Sequence, residues 1–127
     1  MASLDAEFAA RPEAPPQARE AVRRGLADIL PAPVLYDVLT VVTELVQNGA
    51  EHGDGRYVRL HLSVAGRSIL GEVESSGRGS PRLREIDAIN GSGLGLHVVR
   101  AIASDVQVSI GEESTLVRFV IQPLSSD

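Results

Sequence analysis

A chain of 127 residues, 43% hydrophobic and 23% charged, is long enough to bury one real core and short for two. It contains no cysteine, which excludes disulfide scaffolds, thiolate metal sites and cysteine nucleophiles. A formal net charge of -5 disfavours a broad basic face for nucleic acid or anionic lipid. All of its basic residues are arginines, so a phosphate-loop lysine is absent and any cationic phosphate contact must use a planar guanidinium. The first residues are acidic and lack an apolar stretch of signal-peptide length, and no run of about twenty apolar residues follows. One cytoplasmic domain over residues 1–127 is the expectation.

In chain order, Ser3 to Ala9 predicts a short edge strand, ended by Pro12, Pro15 and Pro16, which lead into a helix from about Gln17 to Leu30. Pro31 and Pro33 separate it from a second helix over Ala32 to Glu51. There Leu35, Val38, Leu39, Val42, Leu45, Val46 and Gly49 recur at helical spacing, as a stripe made to pack on a flat surface. At 100° per residue Asp37, Val41, Glu44 and Asn48 fall on a mainly polar edge, with His52 one turn beyond Asn48. Gly53-Asp54-Gly55 breaks this helix. Tyr57 to Val64 alternates as a half-buried strand, and Ala65-Gly66-Arg67 turns into an antiparallel partner over Ser68 to Ser75. Gly77 to Gly95 is irregular, a helix follows over Leu94 to Ala103, and Val106 to Ile110 with Thr115 to Ile121 closes the chain as a hairpin. The simplest assembly is α+β: a two-layer sandwich with helices on one face of a mixed, mostly antiparallel sheet.

Three features carry chemistry. Glu44 and Asn48, at i and i+4, can direct a carboxylate and a carboxamide into one small volume. Magnesium needs only one or two such oxygen ligands beside phosphate and water, while the Glu can take a proton or orient a hydroxyl. A solvated helix face would carry the same two residues. Gly77-Arg78-Gly79 lets the backbone approach an anion closely, and Gly91-Ser92-Gly93-Leu94-Gly95 opens a helix whose free N–H groups can hold phosphate. Either loop alone is an ordinary connection. His61 on a strand and His97 on the last helix have no metal-site spacing.

The order of these features, from Glu-x-x-x-Asn helix through hairpin and Gly-x-Gly to a Gly-x-Gly-Leu-Gly-Leu helix start and a terminal hairpin, resembles the GHKL (Bergerat-fold) ATPase superfamily. That superfamily is shared by gyrase, heat-shock chaperones, histidine kinases and mismatch-repair proteins. In size the chain is most similar to the anti-sigma-factor serine kinases of bacteria, and the resemblance spans nearly its whole length. It implies Glu44 as the base or water-orienting residue and Asn48 as the magnesium ligand, within Glu44 to Gly53. It implies Gly77 and Gly79 beside the adenine, Gly91, Gly93, Leu94, Gly95 and Leu96 beside the phosphates, and Thr115 near the base.

The sequence departs from the family pattern two places before Gly77, where the adenine-binding aspartate is replaced by Ser75. Glu74 faces the other side of the strand and cannot stand in without a bulge. Loss of a charge-assisted bond of roughly 1.5–3 kcal/mol corresponds to about 10- to 150-fold weaker binding. Ser80 to Asn90 occupies the place of the family's nucleotide lid and is short for one; its arginines, with Arg78, could clamp phosphate or simply be solvated.

By resemblance, then, the chain is a regulator of transcription that binds ATP and Mg2+, phosphorylates a serine of an antagonist protein and sequesters a sigma factor. The alternative is a non-catalytic module of the same fold that works by protein contact with little or no ATP binding. A detached sensor histidine kinase domain is a third reading, disfavoured because the expected preceding phosphoacceptor segment has no room here. A weak homodimer through the N-terminal arm and first helix is also implied.

Overall fold

The computed structural model describes residues 2–77 and 94–122, with residues 94–96 described by their backbone alone. Five strands, β1 (Ala2–Ala9), β2 (Tyr57–Ala65), β3 (Ser68–Ser76), β4 (Asp105–Ile110) and β5 (Ser114–Ile121), form one sheet in the order β1-β2-β3-β5-β4. All four pairings are antiparallel, so the expected mostly antiparallel sheet has no parallel step among the described residues. The helices α1 (Ala14–Leu26), α2 (Ala32–His52) and α3 (Leu94–Ile102) complete a two-layer α+β architecture.

The first helix begins three residues earlier than the sequence suggested. Pro15 and Pro16 sit in its first turn, where a missing N–H costs nothing and a fixed φ already suits the helix. It ends at Leu26, and residues 27–30 form a turn in which the Leu30 N–H donates to the Leu26 carbonyl at 3.0 Å. Pro31, at the N-cap of α2, lies in extended backbone and cannot prolong the earlier helix.

The sheet is two-faced because the side chains alternate. On the helix side lie Val58, Leu60, Leu62, Ile69, Val73, Val117, Phe119 and Ile121, all buried. α2 covers them with Val38, Val42, Leu45 and Val46, and α1 adds Ala14, Ala18, Val22 and Leu26 to the same core. At about 25 cal/mol per Å² of apolar surface removed from water, this contiguous cluster is the main favourable term of the fold. Phe119 fits because its cross-strand neighbour is Gly71: a Cβ at position 71 would lie 2.1 Å from the Phe119 ring.

The other face carries a ladder of cross-strand polar pairs. Asp5 meets His61 Nδ1 at 2.6 Å, Glu72 accepts from Arg118 at 2.9 Å, and Arg59 donates to Glu7 at 2.7 Å and to Glu74 at 3.4 Å. Each of these pairs is in direct register across adjacent strands. Exposed pairs of this kind contribute about 0–1 kcal/mol each, so the ladder fixes register and solubility more than stability.

One expectation for α2 is overturned. Val41, placed on the polar edge by helical phase, is completely buried, because α2 packs against α1, α3 and the sheet. A stripe calculation assumes one partner surface; a helix flanked on three sides buries a wider arc.

Candidate functional site

At one end of the sheet the apolar inner face is interrupted by two hydroxyl residues. Ser75 ends the inner row of β3, Thr115 begins that of β5, and the two are direct cross-strand partners. Ser75 is 7% and Thr115 1% exposed. Among the described residues the buried Thr115 Oγ1 has no hydrogen-bond partner. Such an orphan costs about 1–3 kcal/mol, and valine would fill the same volume without that cost. A buried hydroxyl kept at this expense points to a ligand.

Thr115 lines a narrow cleft between the sheet and the C-terminal half of α2. Among the described residues the polar lining is Asn48, His52, Ser75 and Thr115, and Leu45, Val73 and Val117 form apolar walls. The cavity measures about 10 Å³, roughly the room of a single water. Asn48 enters because it sits on the side of α2 that faces this end of the sheet. Glu44, one turn earlier on α2, is half-buried and does not line the cleft.

The rim is built from the turn after α2. The Asp54 N–H donates to the Ser76 carbonyl at 3.0 Å, and the Gly77 N–H donates to the Glu113 carbonyl at 2.7 Å. These bonds tie the end of α2, the end of β3 and the β4–β5 turn together. The Ser76 hydroxyl is fully buried, donates to the Asp54 carboxylate and accepts the N–H groups of Arg56 at 3.2 Å and Tyr57 at 3.0 Å. That bond from Ser76, with further bonds and charge from Arg56, holds the Asp54 carboxyl below its ordinary pKa although desolvation opposes it. Gly77 follows with φ +93°, and a Cβ there would lie 2.9 Å from the Asp54 Cβ, so only glycine fits.

Of the residues expected from the sequence, Asn48, Ser75 and Thr115 line the cleft, and Gly77, two residues beyond Ser75, does not. Leu94, Gly95 and Leu96 are the first residues of α3. Gly79, Gly91 and Gly93, like Arg78, Arg82 and Arg84, lie outside the described residues. His61 is committed to Asp5, and His97 is exposed on α3. Sequence reasoning passed over His52 as a lining residue, although its place one turn after Asn48 was a usable signal. The Asp54–Ser76 link had none, since nothing in the spacing pairs residues 22 positions apart.

Among the described residues, no group of three or more His, Asp and Glu side chains is placed to hold a metal by itself. The Asn48 carbonyl is chemically suited to one position of an octahedral magnesium, beside phosphate oxygens and water. The Ser75 and Thr115 hydroxyls can bond to the polar edge of a base through the single water that the cleft admits.

A family profile described as a histidine kinase-like ATPase domain matches residues 8–121. The chain is also similar to the solved structure of the RsbU and RsbW domains of Rv1364c from Mycobacterium tuberculosis. The TM-score is 0.75 at 19% identity, covering 96% of this chain and 32% of that one. The histidine kinase domain of a blue-light activated histidine kinase from Erythrobacter litoralis gives 0.63 at 23% identity, covering 85% and 58%. The histidine kinase AdeS from Acinetobacter baumannii gives 0.57 at 16%, covering 93% and 66%. The chain thus spans less than two thirds of the length of each of these chains, and likeness at such identities bears on the fold alone. No curated protein matches it significantly.

Proposed function

This chain belongs to the histidine kinase-like ATPase domain family, and from that membership we propose that it is a nucleotide-binding bacterial regulator, a single domain over residues 1–127. It takes ATP with Mg2+ at the Ser75–Thr115 end of the sheet. The observation that carries this reading is the buried, unpartnered Thr115 hydroxyl in a cleft shared with Asn48. Ser75 and Thr115 would face the base, Asn48 would supply the metal's protein oxygen, and Gly77 would let the chain pass close to the nucleotide. The loops at Gly79 and at Gly91 to Leu96 would take the phosphates. Bound Mg-ATP would supply an activated phosphoryl group.

Within the anti-sigma-factor serine kinase reading, Glu44 accepts the proton of an acceptor serine hydroxyl. The rest of the chain contributes mainly positioning and electrostatics. A sigma factor and an antagonist protein are the partners this reading implies. Cytoplasmic residence accords with it, and no described helix is long and apolar enough to cross a membrane. A weak homodimer through β1 and α1 belongs to the same reading.

Ser75 and the narrowness of the cleft favour a second reading, a module that regulates by protein contact and has lost useful ATP affinity. Calorimetric titration with Mg-ATP separates the two. Saturable micromolar binding by the native chain supports the kinase reading and removes the second. Binding gained only by Ser75→Asp removes the kinase reading instead.

A further inference from the structure

Among the described residues, two hydroxyls make the polar floor of the cleft. Ser75 and Thr115 both carry hydroxyls, each able to donate or accept, and their register across β3 and β5 sets them side by side. Among the described lining residues none is a carboxylate. Glu74, adjacent in sequence, points to the opposite face and is engaged by Arg59 at 3.4 Å. Asp54, the acidic residue at the rim, is committed to Ser76 and to Arg56, with its second oxygen 2.8 Å from the Arg56 Nε.

The distinction matters for base selection. An ionised carboxylate only accepts, so it favours an exocyclic amino group and repels a carbonyl oxygen. A hydroxyl turns its proton toward a carbonyl or accepts from an amino group with little difference. The same holds for a single water, which is all that a cavity of about 10 Å³ admits. Ser75 and Thr115, the described hydroxyls available to a base edge at this end of the sheet, are therefore both ambivalent.

We infer that Ser75 makes this a site of relaxed purine selection, taking 6-oxo purine nucleotides, such as inosine triphosphate, about as well as the 6-amino nucleotide ATP. The inference rests on the nucleotide-binding reading above and goes beyond it to the class of nucleotide taken. Selectivity by hydrogen-bonding sites comes from the partner left unpaired when the wrong group arrives, and here neither group leaves one.

Inosine triphosphate is the cleanest probe because it differs from ATP only at the 6-position and the adjoining ring nitrogen. Calorimetric titration of the full chain with Mg-ATP and Mg-ITP is expected to give dissociation constants within about tenfold of each other. In Ser75→Asp the ratio should move toward ATP by roughly 10- to 150-fold, the span of one charge-assisted bond. Preference for ATP by more than tenfold in the native chain overturns the inference and leaves the nucleotide reading intact. Binding of neither nucleotide overturns both. The native comparison stands alone if the variant fails to fold, and an unchanged ratio in a folded variant also overturns the assignment to Ser75.

Discussion

Ser75 and Thr115 face each other across β3 and β5 and place two hydroxyls on the buried side of a sheet whose inner rows are otherwise apolar. Native sheets bury such groups where they bond to something, and Thr115 Oγ1 has no hydrogen-bond partner among the described residues. Stability and function are opposed at this position. Thr115→Val keeps the shape and removes the orphan, so it should raise the thermal midpoint by roughly 2–8 °C. The same variant should weaken nucleotide binding. Calorimetric melts and Mg-ATP titration of the one variant check both signs.

Glu44 and Asn48 share α2 but not a position, because Asn48 lines the cleft and Glu44 does not. Their substitutions should therefore separate. Glu44→Gln is expected to leave Mg-ATP affinity within about threefold while lowering phosphoryl transfer by roughly 10²–10⁴-fold, the usual worth of a general base. Asn48→Ala should abolish the magnesium dependence of binding. Titrations with and without magnesium, beside a transfer assay, distinguish the two roles.

Gly71 is fixed by packing. Its missing Cβ leaves room for the Phe119 ring, whose atoms would stand 2.1 to 2.6 Å from it. Gly71→Ala should cost about 1–3 kcal/mol or more in denaturant unfolding, since the ring must leave its well. A smaller partner should relieve part of that: the double variant Gly71→Ala with Phe119→Leu should lose less than the sum of the singles.

The Asp54 carboxyl is held below its ordinary value by the Ser76 hydroxyl and by Arg56. The stability it contributes is present above the unfolded-state pKa and is lost as pH falls through the lower folded-state value, a window below about pH 4. Asp54→Asn should therefore flatten the acid side of the stability profile in that window and change it little at neutral pH beyond a uniform offset. Thermal melts from pH 2 to pH 7 report this directly.

Much of the fold was legible because strand alternation and helical spacing are local. The hairpin of β2 and β3, the terminal hairpin and α2 follow from Val58 to Val64, Val117 to Ile121 and Val38 to Val46 with boundaries shifted by a residue or so. The early start of α1 was obscured by Pro15 and Pro16, which end helices in general but are welcome in a first turn. The burial of Val41 was not legible, since phase says which residues share a face and nothing of how many neighbours the helix has. At the site, Asn48, Ser75, Gly77 and Thr115 were named from the order of motifs. The convergence of His52, Val73 and Val117 on the same cleft depends on how α2 crosses the sheet, which no spacing encodes.

Residue-resolved amide spectra recorded during titration with Mg-ATP test most directly whether a nucleotide binds at the Ser75–Thr115 end of the sheet, between β3, β5 and the end of α2. Saturable shifts centred on Asn48, His52, Ser75, Gly77 and Thr115, with the charged outer face at Glu7, Arg59 and Arg118 unmoved, are the predicted result. Spectra unchanged up to millimolar Mg-ATP, or shifts confined to that outer face, would contradict it.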